Sequence, residues 1–227
     1  MTAAAVVLAA AQAVTFATKD GWTIAAAYRP AAKGSATVIL AHGVGSAGGE
    51  WARFAEALAS RGVGSLALDL RGHAGSRSGP PGSTDYTGFD ARAWLAAAED
   101  LRAAAAWLKT KGVPESRVAF GGASIGANLA SIAAAERKRA PFLLLLSPSE
   151  NYRGAVLKTR PGLKTLAAAS PADAYAFAGV KKLESAQAAE ALYAPGGHGV
   201  QMFEDPAVFE RVVAWTVAAA RPAGSSR

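Results

Sequence analysis

The sequence predicts an α/β domain on a mostly parallel central sheet, with an antiparallel hairpin at its start and helices on both faces. Three observations predict it. From residue 36 onward, short apolar runs alternate with longer helix-favouring stretches, the pattern that gives parallel strands joined by crossover helices. Residues 142–146 are apolar without alternation, as expected of a strand covered on both faces. Residues 14–18 and 22–29 read as strands flanking Lys19-Asp20-Gly21, and an Asp-Gly pair between such runs is a strong hairpin signal.

At 227 residues the chain fits one such domain, spanning residues 14–221, and it carries neither an internal repeat nor an interdomain linker. Hydrophobic residues make up 51% and charged ones 18%, a balance that builds a core and excludes disorder over most of the length. The net charge of +7 would suit an anionic partner if it formed a stripe. The basic residues are instead scattered; the one tight cluster, Arg137-Lys138-Arg139, falls where a helix is expected to end and cations suit its dipole. No nucleic-acid partner is expected. The absence of cysteine excludes disulfides, thiolate metal sites and a cysteine nucleophile.

No run approaches the roughly 20 apolar residues of a membrane span. Residues 3–11 are apolar and Ala11-Gln12-Ala13 resembles a cleavage site, yet no Lys or Arg precedes them, so residues 1–13 read equally as a signal-like or a frayed leader. The first reading implies a periplasmic or secreted protein, the second a cytoplasmic one.

The elements follow in order. Residues 36–41 form a buried strand ending at His42-Gly43-Val44-Gly45. Residues 50–61 have helical spacing, with Trp51, Phe54, Ala55 and Leu58 on one face and Gly62 as the stop. Residues 64–70 are the next strand and deliver Asp69 and Arg71-Gly72-His73; the Gly-, Pro- and Ser-rich residues 75–88 are a loop. Asp90 can cap a helix running to Lys111. A strand at residues 118–120 leads through Gly122-Ala123-Ser124-Ile125-Gly126 into a helix over 127–139. After the strand at 142–146 come a loop-like connection over 147–164, a strand at 166–169, a helix at 180–191 and a strand at 192–194. The Gly-rich residues 196–199, a helix over 206–220 and a tail over 222–227 complete the chain.

Gly122 to Gly126 fits G-x-S-x-G, in which small residues on either side of a serine let strand and helix approach while the turn between them stays strained. Such a corner lifts the serine hydroxyl out of the sheet and aims the unpaired N–H groups of the helix start at the space beside it. A serine nucleophile needs a base, and the base an orienting acid. Of three histidines only His198 follows Ser124, in a glycine-rich loop after the last strand; Asp173 lies between them, just past the 166–169 strand. Glu204 and Asp205 are rival acids beyond His198.

On these residues, from the hairpin through Leu68-Asp69-Leu70-Arg71-Gly72-His73 and the elbow to Gly197-His198-Gly199, the chain resembles the α/β-hydrolases. It is similar in particular to their esterase and dienelactone-hydrolase types, which lack a cap domain. The resemblance implies Ser124 as nucleophile, His198 as general base and then acid, Asp173 as the orienting carboxylate, and the N–H groups of Val44 and Ile125 as the oxyanion hole. It also implies a small-molecule ester as substrate, no metal or organic cofactor, and a monomer or small homo-oligomer. Ala74 departs from the pattern, standing where a second glycine is usual in Arg-Gly-His-Gly.

Lids in this family commonly follow the strand matching residues 142–146, and the 147–164 connection is too short for a separate domain. An open cleft for small or short-acyl esters is therefore expected, with Leu146, Tyr152, Met202 and Phe203 as candidate walls. His42 and His73 read as loop anchors and Asp69 as a structural acceptor. Two rivals stand beside this reading. Gly43-Val44-Gly45-Ser46-Ala47-Gly48 matches G-x-G-x-x-G between a strand and a helix, with Asp69 in the place of a ribose-binding acid, which would make the chain a nicotinamide-dependent oxidoreductase. The other is a hydrolase-like binding protein without catalysis.

Overall fold

The computed structural model describes residues 10–83 and 85–221. Residues 1–9 of the expected leader and the expected tail over 222–227 lie outside them. In chain order the elements are β1 Gln12–Ala17, β2 Thr23–Arg29, β3 Thr37–Ala41, α1 Ala52–Ala59, β4 Gly64–Leu68, α2 Ala91–Ala96, α3 Ala98–Thr110, β5 Val118–Ala123, α4 Ile125–Ala135, β6 Phe142–Leu146, β7 Asn151–Tyr152, β8 Ala155–Val156, β9 Lys164–Ala169, α5 Ala174–Ser185, β10 Glu190–Tyr193 and α6 Pro206–Ala220.

Eight strands form one sheet in the order β1-β2-β4-β3-β5-β6-β9-β10. β2 runs antiparallel to both β1 and β4, and every neighbouring pair from β4 to β10 is parallel. Strand alternation splits the apolar residues between two cores. Ile39, Leu143 and Leu145 pack with Trp94, Leu101 and Leu108 of α2 and α3, beneath α4 and α5. Val38, Leu144 and Leu146 pack on the other side with Phe54 and Leu58 of α1 and with Val212 and Val213 of α6. Each such leucine or phenylalanine, wholly buried, contributes about 1.5–3 kcal/mol.

Several boundaries differ from those the sequence predicts. β1 begins at Gln12, paired with Tyr28, rather than at Val14. The expected helix over residues 90–111 is two: Asp90 caps α2 through the Ala93 N–H at 2.8 Å, but the backbone tightens at the buried Ala97, whose N–H donates to the Trp94 carbonyl. α4 ends at Ala135 rather than 139, so the basic cluster lies beyond it and Arg137 stands over the Phe120 ring. The helix expected over 180–191 is α5, six residues earlier at both ends, because its buried face of Ala176, Gly179, Val180 and Leu183 starts one turn after the Asp173 cap. Gln187, at φ 53°, breaks the Ala-rich run that follows. The 147–164 connection contains a small hairpin, β7–β8, turned by Arg153 and Gly154, both at positive φ.

Beyond β4 the chain is tied down by a buried ion pair. Arg71 donates from its backbone N–H and its Nε to Asp100 of α3, both at 2.8 Å, and its outer nitrogens reach Asp20 in the β1–β2 turn. Asp100 is fully buried and Arg71 nearly so. Ala74, three residues on, has φ 35°, the left-handed backbone that favours glycine.

His42 and His73 anchor the loops at this end of the sheet. His42 is fully buried; its Nε2 accepts the Leu70 N–H at 2.9 Å while Nδ1 lies 2.6 Å from the Gly43 carbonyl, which puts the proton on Nδ1. Burial holds this ring neutral and pulls its pKa down to about 4, from 6.5. The unfolded chain therefore binds a proton below 6.5 that the folded chain refuses. His42 contributes stability that is complete above pH 6.5 and is lost as pH falls towards 4, on the order of 3 kcal/mol. Urea unfolding at pH 7 and pH 4.5 is expected to show this loss, and to show less of it in His42→Gln; an equal loss in the variant would refute the assignment.

Candidate active site

Ser124 sits between β5 and α4 with φ 55° and ψ −123°, a strained conformation for any residue with a side chain. The two glycines of the motif explain how the corner closes. A Cβ on Gly122 would lie 2.2 Å from the Gly126 carbonyl, and one on Gly126 would lie 2.3 Å from the Ala41 oxygen, both far inside contact distance. Helix α4 is thereby pressed against β5 and β3 with Ser124 at its tip. The Ser124 N–H is held by the Leu146 carbonyl at 2.9 Å.

Asp173 follows β9 and caps α5, its Oδ1 3.5 Å from the Ala176 N–H. Its Oδ2 stands 2.6 Å from Nδ1 of His198. His198 precedes a 3-10 turn, Gly199–Glu204, and its own N–H donates to the Gln201 side chain at 3.3 Å. The Gly199 N–H donates at 2.9 Å to the hydroxyl of Ser147, a buried residue at φ 51° just past β6. The Asp173 carboxyl is mostly enclosed, while the His198 side chain is 50% exposed.

Ser124 and His198 line one open cleft of about 390 Å³, together with Gly43, Val44, Ser46, Glu50, Ala123, Tyr152, Gly199, Val200 and Gln201. No hydrogen bond joins the Ser124 hydroxyl to His198 in this resting arrangement; such contacts often tighten only around substrate. Val44 reaches the cleft on the loop after β3. Ile125 is the first residue of α4, so its N–H has no partner within the helix.

Of the candidate walls, Tyr152 lines the cleft. Leu146, Met202 and Phe203 are buried in the core beside α6 instead, where Phe203 stacks on Phe54 at 5.2 Å. Asp205 caps α6 through the N–H groups of Ala207 and Val208, and Glu204 is exposed.

Glu50 is a wall residue that the sequence marks only as the start of a helix. It accepts the Gly43 N–H at 3.3 Å and the Ser46 hydroxyl at 2.5 Å, and burial pushes its carboxyl up from the ordinary range against the pull of those bonds. The residues of the dinucleotide-like motif have other occupations. A Cβ on Gly48 would meet the Leu68 carbonyl at 2.8 Å, so this glycine serves the approach to β4. Asp69 accepts the N–H groups of Gly48 and Gly75 at 2.8 and 3.0 Å, which engages both of its oxygens within the protein.

The family model described as serine aminopeptidase, S33, matches residues 32–188. No curated protein matches the sequence. Among solved structures, a dienelactone hydrolase from Anabaena variabilis is similar with a TM-score of 0.66 and 21% identity, over 92% of this chain and 97% of that one. The esterase Pf2001 of Pyrococcus furiosus gives a TM-score of 0.66 at 18% identity, over 90% and 91%. The carboxylesterase EstE1, cloned from a metagenomic library, gives 0.69 at 18%, over 95% and 90%. At these identities the likeness establishes the fold.

Proposed function

This chain belongs to the serine aminopeptidase S33 family of α/β-hydrolases, and from that premise we propose that it cleaves small or short-acyl carboxylic esters with Ser124, His198 and Asp173. The observation that carries the reading is the 2.6 Å contact between Asp173 and Nδ1 of His198 at the rim of the cleft that holds Ser124.

The contact fixes the neutral ring with its proton on Nδ1, leaving Nε2 free to act as base. On substrate binding the Ser124 oxygen attacks the ester carbonyl carbon while its proton passes to Nε2. The carbonyl oxygen becomes an oxyanion, stabilised by the N–H groups of Val44 and Ile125; one such donor is worth roughly 3 kcal/mol. Collapse expels the alcohol, which takes the proton from the imidazolium. Water then attacks the acyl-serine, giving up its proton to His198, and the carboxylic acid leaves as Ser124 regains a proton.

Cleft size supports the substrate class. About 390 Å³ is at the small end for ligand sites, and between β6 and β9 the chain contributes only the hairpin β7–β8 rather than a separate cap. The kcat/KM for p-nitrophenyl esters is expected to be highest for acetate and butyrate and to fall at least tenfold by laurate; a rise with chain length would refute the short-acyl assignment. A fluorophosphonate probe separates catalysis from mere binding, because stoichiometric labelling requires a reactive Ser124. Among the described residues no helix is long and apolar enough to cross a membrane.

A further inference from the structure

Residues 43–46 form the loop between β3 and the start of α1, and their backbone N–H groups are committed in a telling way. The Gly43 N–H donates to Glu50 Oε1. The Gly45 N–H donates to Nε2 of His73 at 3.3 Å, and the Ser46 N–H to the Gly43 carbonyl at 3.2 Å. Among the described residues only the Val44 N–H in this loop has no acceptor. The loop is thus gripped from both sides of Val44, by a carboxylate facing the cleft and by a histidine behind it.

The two grips differ in kind. His73 is buried, stacks on Tyr86 with ring centres 4.0 Å apart, and fixes its own Nδ1 on the Arg71 carbonyl at 2.9 Å, so it belongs to the scaffold. Glu50 lies in the cleft wall with Ser124 and His198. Arg53, one turn on, is turned away, its guanidinium bonded to the Phe203 carbonyl and lying over the Phe209 ring. Among the described residues no Lys or Arg lines the cleft. A half-buried carboxylate is expensive to keep unless it is hydrogen-bonded, and Glu50 spends a bond from each of its oxygens on this loop.

We infer that Glu50 is a positioning residue for the reaction: its two oxygens clasp Gly43 and Ser46 so that the Val44 N–H points at the place where the oxyanion forms. The role rests on the Ser124 reading above and adds to it a residue that acts through the loop it holds. Because the clasp sets the direction of one donor, its loss weakens transition-state stabilisation and leaves ground-state binding nearly intact.

The test compares wild type, Glu50→Gln and Glu50→Ala on p-nitrophenyl acetate and on its thiono analogue, whose sulfur draws little from an oxyanion hole. For the oxygen ester, Glu50→Ala is expected to lower kcat by about 10- to 100-fold with KM within about twofold. The thiono ester should slow much less, and Glu50→Gln, which keeps one acceptor oxygen, should fall between. Equal slowing of both esters would overturn the proposal, as would unchanged rates. Amide hydrogen exchange reads the clasp without catalysis: Gly43 protection should drop in Glu50→Ala, and unchanged protection there overturns the proposal. If turnover survived Ser124→Ala, the hydrolytic reading would fail while the Gly43 exchange still reported on the clasp.

Discussion

Ser124→Ala is expected to lower kcat for p-nitrophenyl acetate by at least about 10⁴-fold while KM stays within a few-fold, because the nucleophile acts only on the way to the transition state. The fold should be untouched. The side chain is nearly enclosed at the corner and makes no hydrogen bond that alanine would forfeit, and the positive φ of 55° is equally awkward for both residues. Under the proposed mechanism any residual activity would come from the Val44 and Ile125 donors and from binding. Steady-state kinetics on protein purified from a strain without endogenous esterase decides the matter, and a variant keeping more than a tenth of wild-type kcat would remove Ser124 from the mechanism.

Asp100→Ala is expected to carry the largest stability loss, about 3–5 kcal/mol by urea unfolding. Arginine cannot shed its proton, so the variant strands a guanidinium that is only 3% exposed with the half-exposed Asp20 as its remaining partner, and it orphans the Arg71 backbone N–H. Replacing both partners, Arg71→Met with Asp100→Leu, should recover much of the loss, since it is the unpaired charge rather than the missing bond that is expensive. Activity per folded molecule should stay near wild type because Asp100 lies outside the cleft. A loss under 1 kcal/mol in the single variant would contradict the account.

The contrast between these two positions explains what a sequence can reveal. Ser124 announces itself because the corner needs small residues two places either side, and the clashes at Gly122 and Gly126 are local consequences of a local pattern. Asp173 and His198 are legible for a similar reason, each following directly on an apolar strand. Asp20 was readable as part of a turn, but not as the far end of an ion pair that joins the hairpin to α3 through Arg71. Ser147 was invisible: its bond to Gly199 spans 52 positions and leaves no mark on the residues between.

Direction was harder than location. Leu146 ends the strand beside the elbow, yet strand parity sends its side chain to the α6 core and only its carbonyl serves Ser124. Met202 and Phe203 follow the histidine closely, but the 3-10 turn rotates them inward. The bounds of α5 are hard to read from sequence because alanines at 186, 188 and 189 favour helix without a periodic face to anchor them. The clasp at Glu50 depends on a loop folding back over its own helix start, which no spacing rule anticipates.

The half-exposed ring of His198 has a bearing on timing. A base in open contact with bulk solvent never waits for the second reactant, since the molecule that must be deprotonated to free the acyl group is already beside it. Under the proposed chemistry the acyl group would be handed to that solvent, and its transfer to other, more dilute alcohols would compete poorly.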